Sequence, residues 1–318
     1  IPSENFNVVL YTGNGSTQSI TGVGFKPDFV WIKPRSFADN HALSDSTRGV
    51  DKSLASNTSA AEQSLGVTSF DADGFSLPNW GNVNQNGETF VAWCWKAGGG
   101  TTSSNTEGSI TSTVQANTQA GISIVKFTTP ATNNFSVGHG LGVAPDLVIY
   151  KCLSQTSNWT VYDSISGATK YLLLNGAGAQ QTDSLPFNDT EPTATVLNLG
   201  SATVWWATNA DYIAYVFKSI SGFSKIGTYT GTGSSNIIQT NFEPAYIMFK
   251  RTDASNNWII LDNKRNTSNP RNCLLIPNST SVEDCSDSAY NVNFLTNGFE
   301  LLSNGTSIND SGGTYIYM

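Results

Sequence analysis

A chain of 318 residues with 16 Lys and Arg against 24 Asp and Glu carries a formal charge of −8, and only 13% of it is charged. Nucleic acid and anionic membranes are poor partners, because both call for Lys or Arg to displace counterions and no basic run occurs. No apolar stretch approaches the roughly 18 residues of a helix that crosses a bilayer, so no membrane insertion is expected.

Polarity comes from Asn, Ser, Thr and Gly, which suit turns and solvated strand faces. The Ala, Glu, Lys and Leu that long helices want are scarce. Composition therefore points to an all-β protein of many short strands. Ile1-Pro2 has no initiator Met, and Tyr315-Ile316-Tyr317-Met318 stops inside a strand-like run. The chain is expected to be part of a longer or processed polypeptide.

In chain order, the first strand-like block is Leu10-Tyr11-Thr12, followed by the turn Gly13-Asn14-Gly15-Ser16. Pro27-Asp28-Phe29-Val30-Trp31-Ile32-Lys33 comes next: a Pro, an apolar run and a Lys. The same pattern returns at Pro145 to Lys151 and at Pro244 to Lys250. A second block, His41-Ala42-Leu43-Ser44-Asp45, answers Trp159-Thr160-Val161-Tyr162-Asp163 and Trp258-Ile259-Ile260-Leu261-Asp262. The offset is 118 residues for both Lys33 to Lys151 and Asp45 to Asp163, and 99 for both Lys151 to Lys250 and Asp163 to Asp262. Two blocks that keep their spacing without gaps mark an internal repeat.

Each copy closes on an aromatic strand: Phe90-Val91-Ala92-Trp93, Tyr212-Ile213-Ala214-Tyr215 and Tyr315-Ile316-Tyr317. Six to eight short strands per copy imply a two-sheet sandwich, so the expected fold is three tandem β-sandwich domains of jelly-roll or lectin-like type. The expected boundaries are residues 1–98, 109–222 and 223–318. Residues 99–108, within Gly98 to Asn105 and beyond, read as a flexible Gly/Ser/Thr linker. Copies two and three join near Ser221-Gly222-Phe223 with almost no linker, so those two are expected to pack closely.

The candidate binding residues are aromatic. Trp159, Val161 and Asp163 share one strand face, since side chains alternate along a strand. An indole stacked on a pyranose with a neighbouring carboxylate is a sugar platform, and Trp258 with Asp262 repeats it. The competing reading, a core strand ending in a turn-capping Asp, weighs more, and His41 at the Trp position of copy one weakens a shared ligand role. Trp205-Trp206 are adjacent on an expected strand, so one faces the core and the other a contact surface.

Other motifs read as structural. Asp71-Ala72-Asp73-Gly74 resembles half a calcium loop but lacks the later acidic ligands, so a hairpin turn is preferred and no metal site is expected. Cys94, Cys152, Cys273 and Cys285 form no CxxC or Cys/His cluster. Cys273 and Cys285 could bridge, but two small apolar residues is the preferred reading. With His41 and His139 as the two histidines and no Gly-x-Ser-x-Gly elbow, no catalytic residue and no cofactor is assigned.

Phe25-Lys26-Pro27-Asp28-Phe29-Val30-Trp31-Ile32-Lys33, Asp45-Ser46-Thr47-Arg48-Gly49, Phe70-Asp71-Ala72-Asp73-Gly74-Phe75 and Phe90-Val91-Ala92-Trp93-Cys94-Trp95-Lys96-Ala97-Gly98 together resemble a repeat domain of uncharacterised function. That domain is common in virion proteins of marine tailed bacteriophages, including cyanophages, often tail-fibre, capsid-appendage or lectin-like. The resemblance implies a virion location, other virion proteins as partners and no catalysis; it carries over no binding residues. A structural virion surface protein with a host-contact role is the leading expectation, with a homotrimer favoured by the symmetry of phage appendages. A secreted carbohydrate-binding lectin-like protein is second, with a glycan as ligand. A hydrolase with an unrecognised site is third.

Overall fold

The computed structural model describes residues 2–318. Ile1, on which the reading of a processed start rests, lies outside them. The first set of strands is β1 (Phe6–Thr12), β2 (Gln18–Thr21), β3 (Phe29–Pro34), β4 (Ala42–Asp45), β5 (Ser69–Asp71), β6 (Gly74–Leu77) and β7 (Thr89–Trp95). They form a main sheet in the order β1-β7-β3-β4 and a small sheet β2-β6-β5.

The second set is β8 (Ser103–Asn105), β9 (Ser112–Asn117), β10 (Ile122–Thr128), β11 (Phe135–Gly138), β12 (Leu147–Cys152), β13 (Thr160–Asp163), β14 (Lys170–Leu173), β15 (Gln181–Thr182), β16 (Val196–Leu199) and β17 (Asp211–Phe217). Its main sheet has eight strands, β15-β14-β13-β12-β17-β10-β9-β8, and β11 pairs with β16. The third set is β18 (Gly227–Thr230), β19 (Asn236–Gln239), β20 (Tyr246–Arg251), β21 (Ile259–Asp262), β22 (Val292–Leu295), β23 (Gly298–Leu301) and β24 (Thr314–Tyr317). It builds β18-β24-β20-β21 and β19-β23-β22. Helix amounts to short turns such as Gly81–Asn84. The protein is all-β.

The order β1-β7-β3-β4 recurs as β10-β17-β12-β13 and as β18-β24-β20-β21, with neighbours antiparallel throughout. Register matches too. Lys33, Lys151 and Lys250 stand opposite Val91, Ile213 and Ile316.

Alternation sends each main sheet's side chains two ways. On β7, Phe90, Ala92 and Cys94 pack against Ile20, Phe75 and Leu77 of the small sheet. The second and third main sheets cover their outer faces in the same way. On the opposite face, Trp31 and Trp93 of the first sheet, Ile149 and Tyr215 of the second, and Met248 and Ile316 of the third belong to one shared cluster. The main strands are thus buried on both sides, which is why they read as continuous apolar runs. Each large side chain so buried stabilises by about 1.5–3 kcal/mol before conformational entropy is subtracted.

This shared inner core corrects the picture of sandwiches strung on a flexible tether. A sheet apolar on both faces must cover both. Residues 99–108 follow suit. Ala97 and Gly99 donate backbone N–H bonds to Asp28 Oδ2 at 2.8 and 2.7 Å, and Gly100 donates to Gln115 Oε1 at 3.1 Å. β8 then pairs with β9 at the edge of the second main sheet.

Candidate functional site

Four of the six residues singled out from sequence, Trp159, Asp163, Trp258 and Asp262, lie where neighbouring main sheets meet. After β4, β13 and β21 the chain forms an arm that the next sheet grips. Glu62 N–H donates to Leu153 O at 2.9 Å, Gln180 N–H to Thr252 O at 2.8 Å, and Glu283 N–H to Arg35 O at 3.0 Å. First meets second, second meets third, and third meets first. The three seams close into a ring.

Trp159 and Trp258 are part of this grip. Both indoles are buried, so neither offers a face to a sugar. Trp159 Nε1 donates to Ala55 O and Trp258 Nε1 to Leu173 O, each at 2.9 Å. His41 does the same work in the first sheet. Trp31 Nε1 donates to His41 Nδ1 at 2.8 Å, which leaves the Nε2 proton for Ile276 O at 3.0 Å. An indole N–H can only donate, so this bond fixes the neutral Nε2–H tautomer. Burial, reinforced by Lys33, pushes the His41 pKa down to about 3.

The repeated lysines add a second contact per seam. Lys33 Nζ donates to Pro34 O and Thr280 O at 3.0 and 3.3 Å. Lys151 Nζ donates to Ser59 O and Ser157 O at 3.1 and 2.9 Å, and Lys250 Nζ to Ala177 O and Asn256 O at 3.2 and 2.7 Å. In each case one acceptor belongs to the neighbouring arm. Burial lowers all three ammonium groups to about 8.

The repeated aspartates cap the turn that begins each arm. Asp45 Oδ1 accepts from Arg48 N at 2.8 Å, Asp163 Oδ1 from Ser166 N at 2.8 Å, and Asp262 Oδ1 from Arg265 N at 2.9 Å. All three carboxylates are buried. At the first–second seam Asp45 pairs with the Arg48 guanidinium, which reaches Glu62 at 3.2 Å, and Tyr215 OH donates to Asp45 Oδ2 at 2.8 Å. At the third–first seam Asp262 pairs with Arg265 at 2.6 Å, Arg265 with Glu283 at 3.0 Å, and Trp93 Nε1 donates to Asp262 Oδ2 at 3.0 Å. Burial drives the Asp262 carboxyl up, but Arg265 and the hydrogen bonds outweigh it and hold it below the usual range. Among the described residues Asp163 has no such ion-pair partner, and burial leaves its carboxyl raised.

Trp205 and Trp206 sit in a turn rather than a strand. Their split burial comes from the turn, not from alternation. Trp206 is buried and donates Nε1 to Pro186 O at 2.7 Å. Trp205 is half-buried, packs edge-on against Tyr171 with centroids 4.6 Å apart, and donates to Thr160 Oγ1 at 3.2 Å. His139 is also buried, between Thr193 O and the Leu141 N–H.

Asp73 accepts N–H bonds from Gly22 and Gly24 at 3.1 and 2.6 Å, so its carboxylate braces a loop. Gly74 is required beside it, because a Cβ there would lie 1.9 Å from Ile20 O. Cys273 and Cys285 are bridged. The reading of two small apolar residues fails because Cys285 is exposed.

Sequence reasoning missed one recess. A cavity of about 400 Å³ opens where the three main sheets meet at one end, walled by Phe6, Trp95, Phe217, Ile226, Tyr246 and Met318 among others. Trp95 lies 6.4 Å from Phe217 and 5.8 Å from Tyr246, ring to ring. Tyr246 OH and Asn263 Oδ1 line it without a protein partner among the described residues. The available signal was the aromatic end of each closing strand, which only the ring of sheets brings together.

The family model that matches this chain covers residues 1–318, and so takes in the whole ring of sheets. The chain belongs to the family described as a domain of unknown function, DUF7483. No curated protein and no solved structure matches it.

Proposed function

We propose that this DUF7483 chain is a structural virion surface protein of a tailed phage, a fibre, spike or capsid decoration whose work is display and contact. The observation that carries the reading is the closed ring of seams. It ties distant parts of the chain into one body with its aromatic residues turned inward, which suits a protein that must persist outside a cell. The motifs that resemble phage virion repeats supply the location. Within this reading the three pairs of sheets are tandem sandwiches of jelly-roll type that have come to share a core.

The partners are neighbouring virion proteins and a host-surface glycan. A homotrimer takes second place to a monomer, because one chain already closes three sheets around a common core. The lectin reading has lost most of its named contacts to the interior, and Trp205 is the one of the six whose side chain is not fully buried. Both histidines spend their ring nitrogens on structural bonds, which counts against the hydrolase reading.

Immunoelectron microscopy of purified phage particles tests the proposal. Antibody label on the particle exterior supports it. Unlabelled particles, with saturable binding of the purified chain to one glycan on an array, would replace it by the lectin reading.

A further inference from the structure

The second–third seam keeps the frame of a charged node but lacks the cation. Ser166 occupies the position of Arg48 and Arg265, three residues past the aspartate in each arm. The turns match: Ser166 N and Arg48 N both donate to the aspartate Oδ1 at 2.8 Å, and Gly167 N and Gly49 N donate to the aspartate carbonyl at 3.0 and 3.2 Å. Gln180 stands where Glu62 and Glu283 do, as its backbone bond to Thr252 O shows. Met318 stands where Tyr215 and Trp93 do, paired across from Met248.

The acceptors that hold the guanidinium elsewhere are largely retained. Arg48 and Arg265 bind the aspartate, the acidic residue of the arm and a strand carbonyl, Leu43 O at 2.8 Å or Ile260 O at 3.1 Å. The counterparts are Asp163, Gln180 and Val161 O. Asp163 is 1% exposed, yet its Oδ2 has no partner among the described residues. A buried carboxylate without a cation is costly even with the turn's hydrogen bonds to it, and Glu191 adds a second negative charge nearby. Solvent reaches the turn at Ser164 and Ile165, which are exposed.

We propose that the Asp163–Gly167 turn, with Gln180 and Val161 O, is a binding site for a guanidinium-class cation, which completes the second–third seam as Arg48 and Arg265 complete the other two. The group enters either as a free ion or on an arginine of a neighbouring molecule.

Thermal unfolding of the full chain tests this, with millimolar guanidinium chloride, free arginine, or sodium chloride at matched ionic strength. The expected result is a saturable rise of about 2–4 °C with guanidinium or arginine at roughly ten times the dissociation constant. Arginine alone acting shows that the group enters on a side chain; guanidinium acting shows that it enters free. Ser166→Arg should raise the midpoint unaided and abolish the response, and Asp163→Asn should abolish the response. No rise beyond sodium chloride, or an undiminished rise in Ser166→Arg, overturns the site. Should Asp163→Asn fail to fold, Ser166→Arg and the salt comparison decide alone.

Discussion

The third–first and second–third seams are built on the same backbone and hold together by different chemistry. The first of these carries Asp262, Arg265, Glu283 and Arg35, with Arg35 and Glu283 paired at 2.7 Å. The second has Asp163, Ser166, Gln180 and Thr252 at the same places. Both keep the grip of an aromatic or imidazole N–H and a lysine on the neighbouring arm. The indole or imidazole donor, the lysine and the apolar faces therefore suffice to close a seam. The ion network is an addition: the second–third seam closes without the arginine, although Asp163 stays there as a buried carboxylate with no guanidinium beside it among the described residues.

Arg265→Ala breaks the comparison hardest. It strands Asp262 in the interior, while Glu283 keeps Arg35, and is expected to cost about 3–5 kcal/mol in urea denaturation. Ser166→Ala, at the matching position, should stay within about 0.5 kcal/mol. Equal losses at the two positions would remove the distinction between the seams.

The bridge between Cys273 and Cys285 braces the third arm across a separation of 12 residues. Cys285→Ser should cost about 2–4 kcal/mol. The loss should show as faster amide exchange in the third arm, with the second arm unchanged.

His41 separates the seams by pH. Its folded pKa, about 3, lies below the ordinary 6.5. Above pH 6.5 neither state holds the proton and the full contribution stands. Between about 6.5 and 3 only the unfolded chain takes it up, so stability falls by up to about 1.4 kcal/mol per pH unit. His41→Trp, which restores the donor used at the other two seams, should flatten this part of the stability–pH curve; an unchanged slope would assign it elsewhere.

Asp163→Asn is the smallest expected effect and has the opposite sign. Asp163 has a raised carboxyl pKa, so its contribution is present at low pH and lost as pH rises through the folded value. The amide should add about 1 kcal/mol at pH 7, with the gain fading in acid. A large loss would mean that Asp163 is already paired.

Much of this could be read from the sequence, and the rest fails for identifiable reasons. The constant spacing of Lys33, Lys151 and Lys250 with Asp45, Asp163 and Asp262 revealed equivalent strands. The shared core was hidden because alternation tells which residues share a face and not what covers it. The better clue was the unbroken apolar run Phe29 to Ile32, which marks burial on both sides. His41 looked like a departure from the tryptophan pattern, because the comparison was made on ring type. On donor chemistry it is an equivalent. Gly98 to Asn105 read as a tether because its side chains are small and polar, yet an edge strand needs only its backbone. The bare Asp163 node could not be seen in any one copy. It becomes visible when Ser166, Gln180 and Met318 are set against their counterparts.

Native-state hydrogen exchange at Val91, Ile213 and Ile316 tests the common core most directly, since these residues face the lysines at matching points of the three main sheets. One body should release all three amides through a single global opening, with one free energy and one denaturant slope. Three separate free energies, with one sheet opening while the others stay closed, would contradict it.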